Sequence, residues 1–184
     1  MAIRHLALGA LLAGVPAAAS ASVFVIGSTS ASLCYQAADS HRDPTREDYE
    51  HCNRALTEDA LSPQDTVSTH VNRGILRLRR GDPDGAIADF DRAIALDASQ
   101  PEAYLNKGSV LMRRQDYRSA MTLFTAALDR NTSRPELALY GRGVAHETLG
   151  NIPDAYADYS RASQLAPGWD QPRIELQRFR VVNR

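Results

Sequence analysis

The chain has 184 residues, enough for one ordinary domain or one short array of repeats. Lys and Arg total 21 against 22 Asp and Glu, so the net charge is -1 and the basic excess of a nucleic-acid surface is missing. Hydrophobic residues at 43% and charged residues at 23% are the mix of a foldable domain rather than a disordered one, and two cysteines are too few for a disulfide-dense miniature. Aromatics are only 7% while Ala is abundant, which favours helices over sheets. Lys107 is the only lysine, a bias associated with GC-rich bacterial genomes.

Residues 1–21 are ordered like a secretory signal. Arg4 gives a positive start without acids, Leu6 to Val15 is a short apolar run, and Pro16 breaks it before the small-residue stretch Ala17 to Ala21. Cleavage is expected after Ala21, with Ser22 opening the mature chain, a charge of about -2 and a periplasmic location. The alternative is an uncleaved anchor running on through residues 23–26. A span needs about 20 apolar residues, and Pro16, Ser20 and Ser22 interrupt this one. No later segment is long or apolar enough to span, so no membrane contact is expected after cleavage.

Residues 22–66 predict an extended start and a divergent helical hairpin. Ala31 to Ser40 and Thr45 to Glu58 read as two helices with a turn near His41 to Pro44. Cys34 lies about two turns before that turn and Cys52 about two turns after it, so antiparallel helices bring them to similar heights. Both follow the signal, neither has a third cysteine to compete, and an oxidising compartment permits a bond. A Cys34–Cys52 disulfide is therefore expected; the alternative is two buried thiols packing like alanines.

From residue 67 a repeat sets in. Val71-Asn72-Arg73-Gly74 matches Leu105-Asn106-Lys107-Gly108 and Tyr140-Gly141-Arg142-Gly143, with the glycines 34 and then 35 residues apart. Gly81-Asp82, Gln115-Asp116 and Gly150-Asn151 follow at the same offset. Then come Ala86-x-x-x-Phe90-x-x-Ala93, Ala120-x-x-x-Phe124-x-x-Ala127 and Ala155-x-x-x-Tyr159-x-x-Ala162. The extra residue falls in Asn131 to Pro135, a loop composition. Each unit predicts two helices. The first starts near Thr66, Pro101 or Pro135; the second is capped by Asp82, Asp116 or Asn151. A glycine inside a helix costs about 1 kcal/mol against Ala, so its threefold recurrence predicts that a neighbour presses close there. Units at 67–100, 101–135 and 136–168 follow, with 169–184 as a capping helix whose Ile174, Phe179 and Val182 face inward.

The pattern resembles the tetratricopeptide repeat: Gly in the first helix, Ala-x-x-x-aromatic and a later Ala in the second, and Pro167 closing the third unit. It departs at His70 and Leu139, where an early aromatic is expected and only Tyr104 fits, and at Arg73, Lys107 and Arg142, which replace an apolar residue. The resemblance implies an all-α, right-handed superhelical α-solenoid whose first helices line a concave, peptide-binding face. Groove candidates are Asn72, Ile75 and Arg79 with Val71, then Asn106, Ser109 and Arg113 with Leu105, then Tyr140, Val144 and Glu147. Asn72 and Asn106 offer both a donor and an acceptor to an extended backbone; the alternative is that they pair within the helix layer. One subclass of the family grips a terminal carboxylate with Lys, Arg and two asparagines. Here Asn106 fits, but Val71, Ile75, Leu137 and Gly141 hold the other places, so an internal or hydrophobic segment is the expected ligand.

Catalytic chemistry has no foothold in the motifs. There is no phosphate loop, no nucleophile elbow and no Cys-x-x-Cys. His41, His51, His70 and His146 lack ligand spacing, although His51 with Cys34 and Cys52 could contribute to a metal site. Asp89 and Asp91 lie on opposite sides of a helix and His146-Glu147 reads as a surface pair, so solvation is expected of them. Asn131-Thr132-Ser133 is a formal glycosylation sequon, and more simply a loop. No cofactor, metal or catalytic residue is expected. The function read here is a monomeric periplasmic adaptor or scaffold for another protein; the alternative is a hydrolase or other enzyme with its site between the repeats and the N-terminal flank.

Overall fold

The computed structural model describes residues 2–5, 21–25, 29–40 and 42–182, with side chains described for 21–25, 29–40 and 42–179. The apolar run of the expected signal, His41, Ile26 and Asn183 lie outside these. Among the described residues the chain forms nine helices and a two-stranded ribbon. In order they are β1 (Ala2–His5), α1 (Thr29–Asp39), α2 (Arg46–Thr57), α3 (Pro63–Arg79), α4 (Pro83–Leu96), α5 (Pro101–Arg113), α6 (Tyr117–Asp129), α7 (Pro135–Thr148), α8 (Ile152–Leu165), α9 (Asp170–Leu176) and β2 (Phe179–Val182). Consecutive helices pack as hairpins, α1 with α2, α3 with α4, α5 with α6 and α7 with α8, and each hairpin packs on the next.

The turns follow from local chemistry. The Thr45 hydroxyl accepts from the Asp48 N–H and the Asp48 carboxylate accepts from the Thr45 N–H, a capping box that opens α2. Asp82 and Asp116 accept from the N–H groups of Gly85 and Ser119 and open α4 and α6. Asn151 makes no such bond, contrary to expectation; its amide lies 3.4 Å from the His146 ring. α3 begins at Pro63 rather than near Thr66, because Ser62 caps it and Pro63 suits the first turn. The turn inside each repeat needs a left-handed residue: Gly81 has φ 80°, Gln115 62° and Gly150 83°.

The second helix of each repeat lays its aromatic ring on the helical glycine of the first. A Cβ on Gly74 would come within 2.6 Å of Phe90, on Gly108 within 2.9 Å of Phe124, and on Gly143 within 2.9 Å of Tyr159. A Cβ on Gly141 of α7 would also come within 2.6 Å of Phe124, so this ring is gripped from two units. Phe90 and Tyr159 are fully buried.

A polar frame runs beside these rings. Asp89 is buried, not solvated. It accepts from Arg73 Nη2 at 2.7 Å and Nε at 3.0 Å, forms an ion pair with Arg77 at 2.8 Å, and lies 3.0 Å from His70. Arg142 repeats the arrangement with Asp158, at 2.8 Å on each oxygen. Each arginine also reaches back one hairpin, Arg73 to Asn53 and Arg142 to Thr125, while Lys107 pairs with Asp91 of α4. The cations that depart from the repeat pattern are therefore ties between successive hairpins. The sequon loop is tied as well: the Ser133 N–H donates to Glu102 at 2.8 Å and Thr132 is buried.

Cys34 and Cys52 are joined, with their Cα atoms 4.8 Å apart, which staples α1 to α2. At the other end the expected long capping helix is short. α9 stops at Leu176, and Ile174 faces solvent at 48% exposure. Beyond it the chain runs extended as β2, antiparallel to β1. Phe179 is buried as expected, but it reaches Tyr156 and Tyr159 from this strand rather than from a helical face.

Candidate peptide-binding groove

Alternation along an extended chain turns every second side chain to one side. Residues 21–25 obey it against the helical array. Ala21 and Val25 are 4% and 3% exposed and Val23 is half-buried, while Phe24, 65% exposed, faces out with its ring 5.3 Å from Tyr35. Ala21 enters the apolar cluster of Leu105, Leu137 and Ala138. Val23 packs on the cluster that contains Val71 and Ile75. Val25 joins Ala31 and Ala55, beside Tyr35 and Leu61. The segment thus crosses the first helices α5, α3 and α1 in turn.

Two of the expected asparagines hold its backbone. Asn72, fully buried on α3, accepts from the Val23 N–H at 2.8 Å and donates to the Val23 carbonyl at 2.7 Å. Its amide therefore does what a neighbouring β-strand would do for one residue. Asn106, one repeat later on α5, donates to the Ala21 carbonyl at 3.1 Å and also to the Glu102 carbonyl at 2.9 Å. It serves an extended backbone and its own helix at once. The same place in the third repeat is Gly141, so the ladder of amides ends there. The Ser22 hydroxyl donates to Asp39 at 2.8 Å on the outer side of the segment.

The other groove candidates divide. Ile75 is fully buried in the cluster under Val23. Arg79 instead donates to the carbonyls of Ser40 at 2.6 Å and Ala37 at 3.5 Å, where it satisfies orphan acceptors at the end of α1. Burial pulls its guanidinium below the ordinary arginine value, against the Asp39 carboxylate, which supports the charge. Ser109 is half-buried and bonds the Leu105 carbonyl, and Arg113 is exposed at the end of α5. Tyr140 is buried 4.9 Å from the Trp169 ring, and its hydroxyl reaches Glu175 at 3.4 Å. Burial, with Glu175 and Glu147 nearby, pushes the phenol above its usual range. Val144 is half-buried beside the same cluster. Glu147 is not a surface residue: it accepts from the Tyr159 hydroxyl at 2.8 Å and Arg178 at 2.7 Å. Burial first, and Glu147 second, push the Tyr159 phenol up as well. The third repeat's share of the expected groove is thus covered by Trp169 and α9.

The disulfide consumes both thiols that His51 would have needed. Among the described residues no group of three or more His, Cys, Asp or Glu is placed to hold a metal ion. A shallow cavity of about 470 Å³ lies by the α1–α2 turn, lined by Leu33, Arg42, Asp48 and His51 among others. Arg42 and Asp48 are spent on each other there, at 2.6 Å on both oxygens. Among the described residues no helix is long and apolar enough to cross a membrane.

The family model described as "Tetratricopeptide repeat" matches residues 71–135 and 105–168, together more than half of the chain. No curated protein matches. Among solved structures, MamA is similar at 22% identity and a TM-score of 0.60, over 70% of this chain and 72% of that one. YrrB, described as a protein of this repeat type with an unusual peptide-binding site, is 23% identical at a TM-score of 0.59, over 70% and 62%. The first repeat domain of Spaghetti, bound to the HSP90 peptide SRMEEVD, is 24% identical at a TM-score of 0.57, over 60% and 87%.

Proposed function

Because the chain belongs to the tetratricopeptide repeat family, we propose that it is a periplasmic adaptor whose concave groove receives an extended segment of a partner protein. The observation that carries this is the Asn72 amide, which holds both backbone groups of one extended residue. Side chains play no part in those two bonds, so any extended segment that fits the apolar places beside them can be held. The peptide complex of Spaghetti and the peptide-binding site of YrrB support the same use of the fold. An internal or hydrophobic segment suits this groove, because Val71, Ile75, Leu137 and Gly141 hold the places where a carboxylate would need charges.

Export follows from the order of residues 1–21. Cleavage after Ala21 would remove β1 and the Ala21 carbonyl that Asn106 holds, and would leave the new Ser22 ammonium near Asp39. N-terminal sequencing of the protein from periplasmic extract should begin near Ser22; an intact Met1 in membrane pellets would overturn the cleavage. For the groove, the purified protein and its Asn72→Ala, Asn106→Ala variant should be compared as bait in that extract. A partner retained by the first and lost by the second, with helicity unchanged, is the expected result. Equal retention would place binding elsewhere.

A further inference from the structure

The groove already holds a ligand, and it is part of this chain. We propose that residues 22–25, which remain after cleavage, compete with the partner for the groove, and that the partner segment shares the chemistry of residues 21–25: extended, with a small residue at the place that Ala21 vacates on cleavage and then two valine-sized residues at alternate positions. This rests on the groove being the docking surface. The Asn72 amide has its acceptor and its donor committed to Val23, so it cannot hold a second backbone until that residue leaves. The three inward places are each matched to what fills them. Ala21, lost on cleavage, belongs to the buried cluster that contains Leu105, Leu137 and Ala138; Val23 packs on the cluster that contains Val71 and Ile75; Val25 shares a buried cluster with Ala31 and Ala55. The outward positions, Ser22 and Phe24, face solvent or the rim and set no comparable demand. A partner is therefore read at positions one, three and five and accepted broadly at two and four. Its apparent affinity is lowered by the fraction of molecules whose own segment is seated.

The probe is the acetylated, amidated peptide Ser-Ala-Ser-Val-Thr-Val-Ile, which copies residues 20–26 with Thr at the outward Phe24 position. Val23→Pro in the mature chain from Ser22 removes the N–H that Asn72 accepts. Val25→Asp unseats the segment independently, by placing a charge in an apolar site. Both variants should bind the peptide at least about tenfold more tightly than the unaltered chain, as removal of a competitor requires. A peptide with Asp at both valine positions should not bind. In the unaltered chain, saturating peptide should speed chymotrypsin cleavage after Phe24, a readout that needs no variant. Unchanged affinity in both variants together with unchanged cleavage at Phe24 would overturn the competition. Asn72-dependent binding in that case would leave the groove itself standing. If no form binds the peptide, the competition and its stated chemistry both fall, while partner retention by the Asn72 and Asn106 amides remains a separate result.

Discussion

At the scale of single residues, the polar groups that look soluble in the sequence are structural when a neighbour on the next helix meets them. Asp89 is the clearest case. Burial by itself would raise its carboxyl, but His70, Arg73 and Arg77 outweigh burial and hold it below the ordinary carboxylate range. Asp89→Ala would strand these cations in a largely dry place and should cost about 3 kcal/mol in urea unfolding. A loss under 1 kcal/mol would mean that water replaces the carboxylate. Asp48 is lowered as well: its hydrogen bonds from Arg42 lead, burial opposes them, and those from Thr45 add to them, bringing it to about 2 from 3.8. A carboxylate depressed in the folded state adds stability that is complete above the unfolded value and is lost as pH falls through the folded one. The Asp48→Asn variant should therefore differ most from the parent above pH 3.8 and converge with it towards about pH 2, as read from urea midpoints at a series of pH values.

At the scale of elements, the repeat is a ring laid on a gap. Phe90→Ala removes a fully buried ring from Gly74 and should cost about 3–5 kcal/mol. The converse change, Gly141→Ala, gains about 1 kcal/mol of helix propensity but drives a methyl into Phe124. Overpacking of this kind costs about 1–3 kcal/mol, so net destabilisation is expected from thermal unfolding. A gain in stability would show that the ring can move aside. The turns predict a change of opposite sign. Gln115 has φ 62° where the two other repeats use glycine. Gln115→Gly should stabilise by up to about 1 kcal/mol, since the strain relieved exceeds the entropy lost.

At the scale of the whole molecule, the N-terminal flank and the repeats are joined through the groove. Val25 packs on the stapled hairpin, Val23 on the first repeat and Ala21 among residues of the second and third. The disulfide closes a separation of 18 residues and constrains the unfolded chain by about 3 kcal/mol in the entropy model. Replacing both cysteines by serine should lower global stability by about that amount. Hydrogen exchange should rise first in α1 and α2 and in the amides of residues 23 and 25, while α6 and α7 change less. Uniform acceleration would show that the array unfolds as one unit.

The sequence by itself determined the helical repeats, their hairpins, the contact at the helical glycines and the cysteine pair. These follow from period, capping and spacing, which are local and recur. It also offered Asn72 and Asn106 as candidates to hold an extended backbone, with pairing inside the helix layer as the alternative. Only the tertiary structure decided whose backbone they hold, because the Asn72–Val23 contact joins residues 49 positions apart that no repeat relates. The same holds for Asp89, Arg79, Tyr140 and Glu147. The face of its own helix predicts one setting for each, and what another element brings to it decides the actual one: Arg73 across the hairpin, the end of α1, Trp169 and Arg178. α9 is shorter than the sequence pattern predicts for a related reason. Phe179 needed only to reach Tyr156 and Tyr159, and an extended strand does that as well as a helix. Periodicity fixes which side of an element is apolar; the packing of distant elements fixes what that side meets.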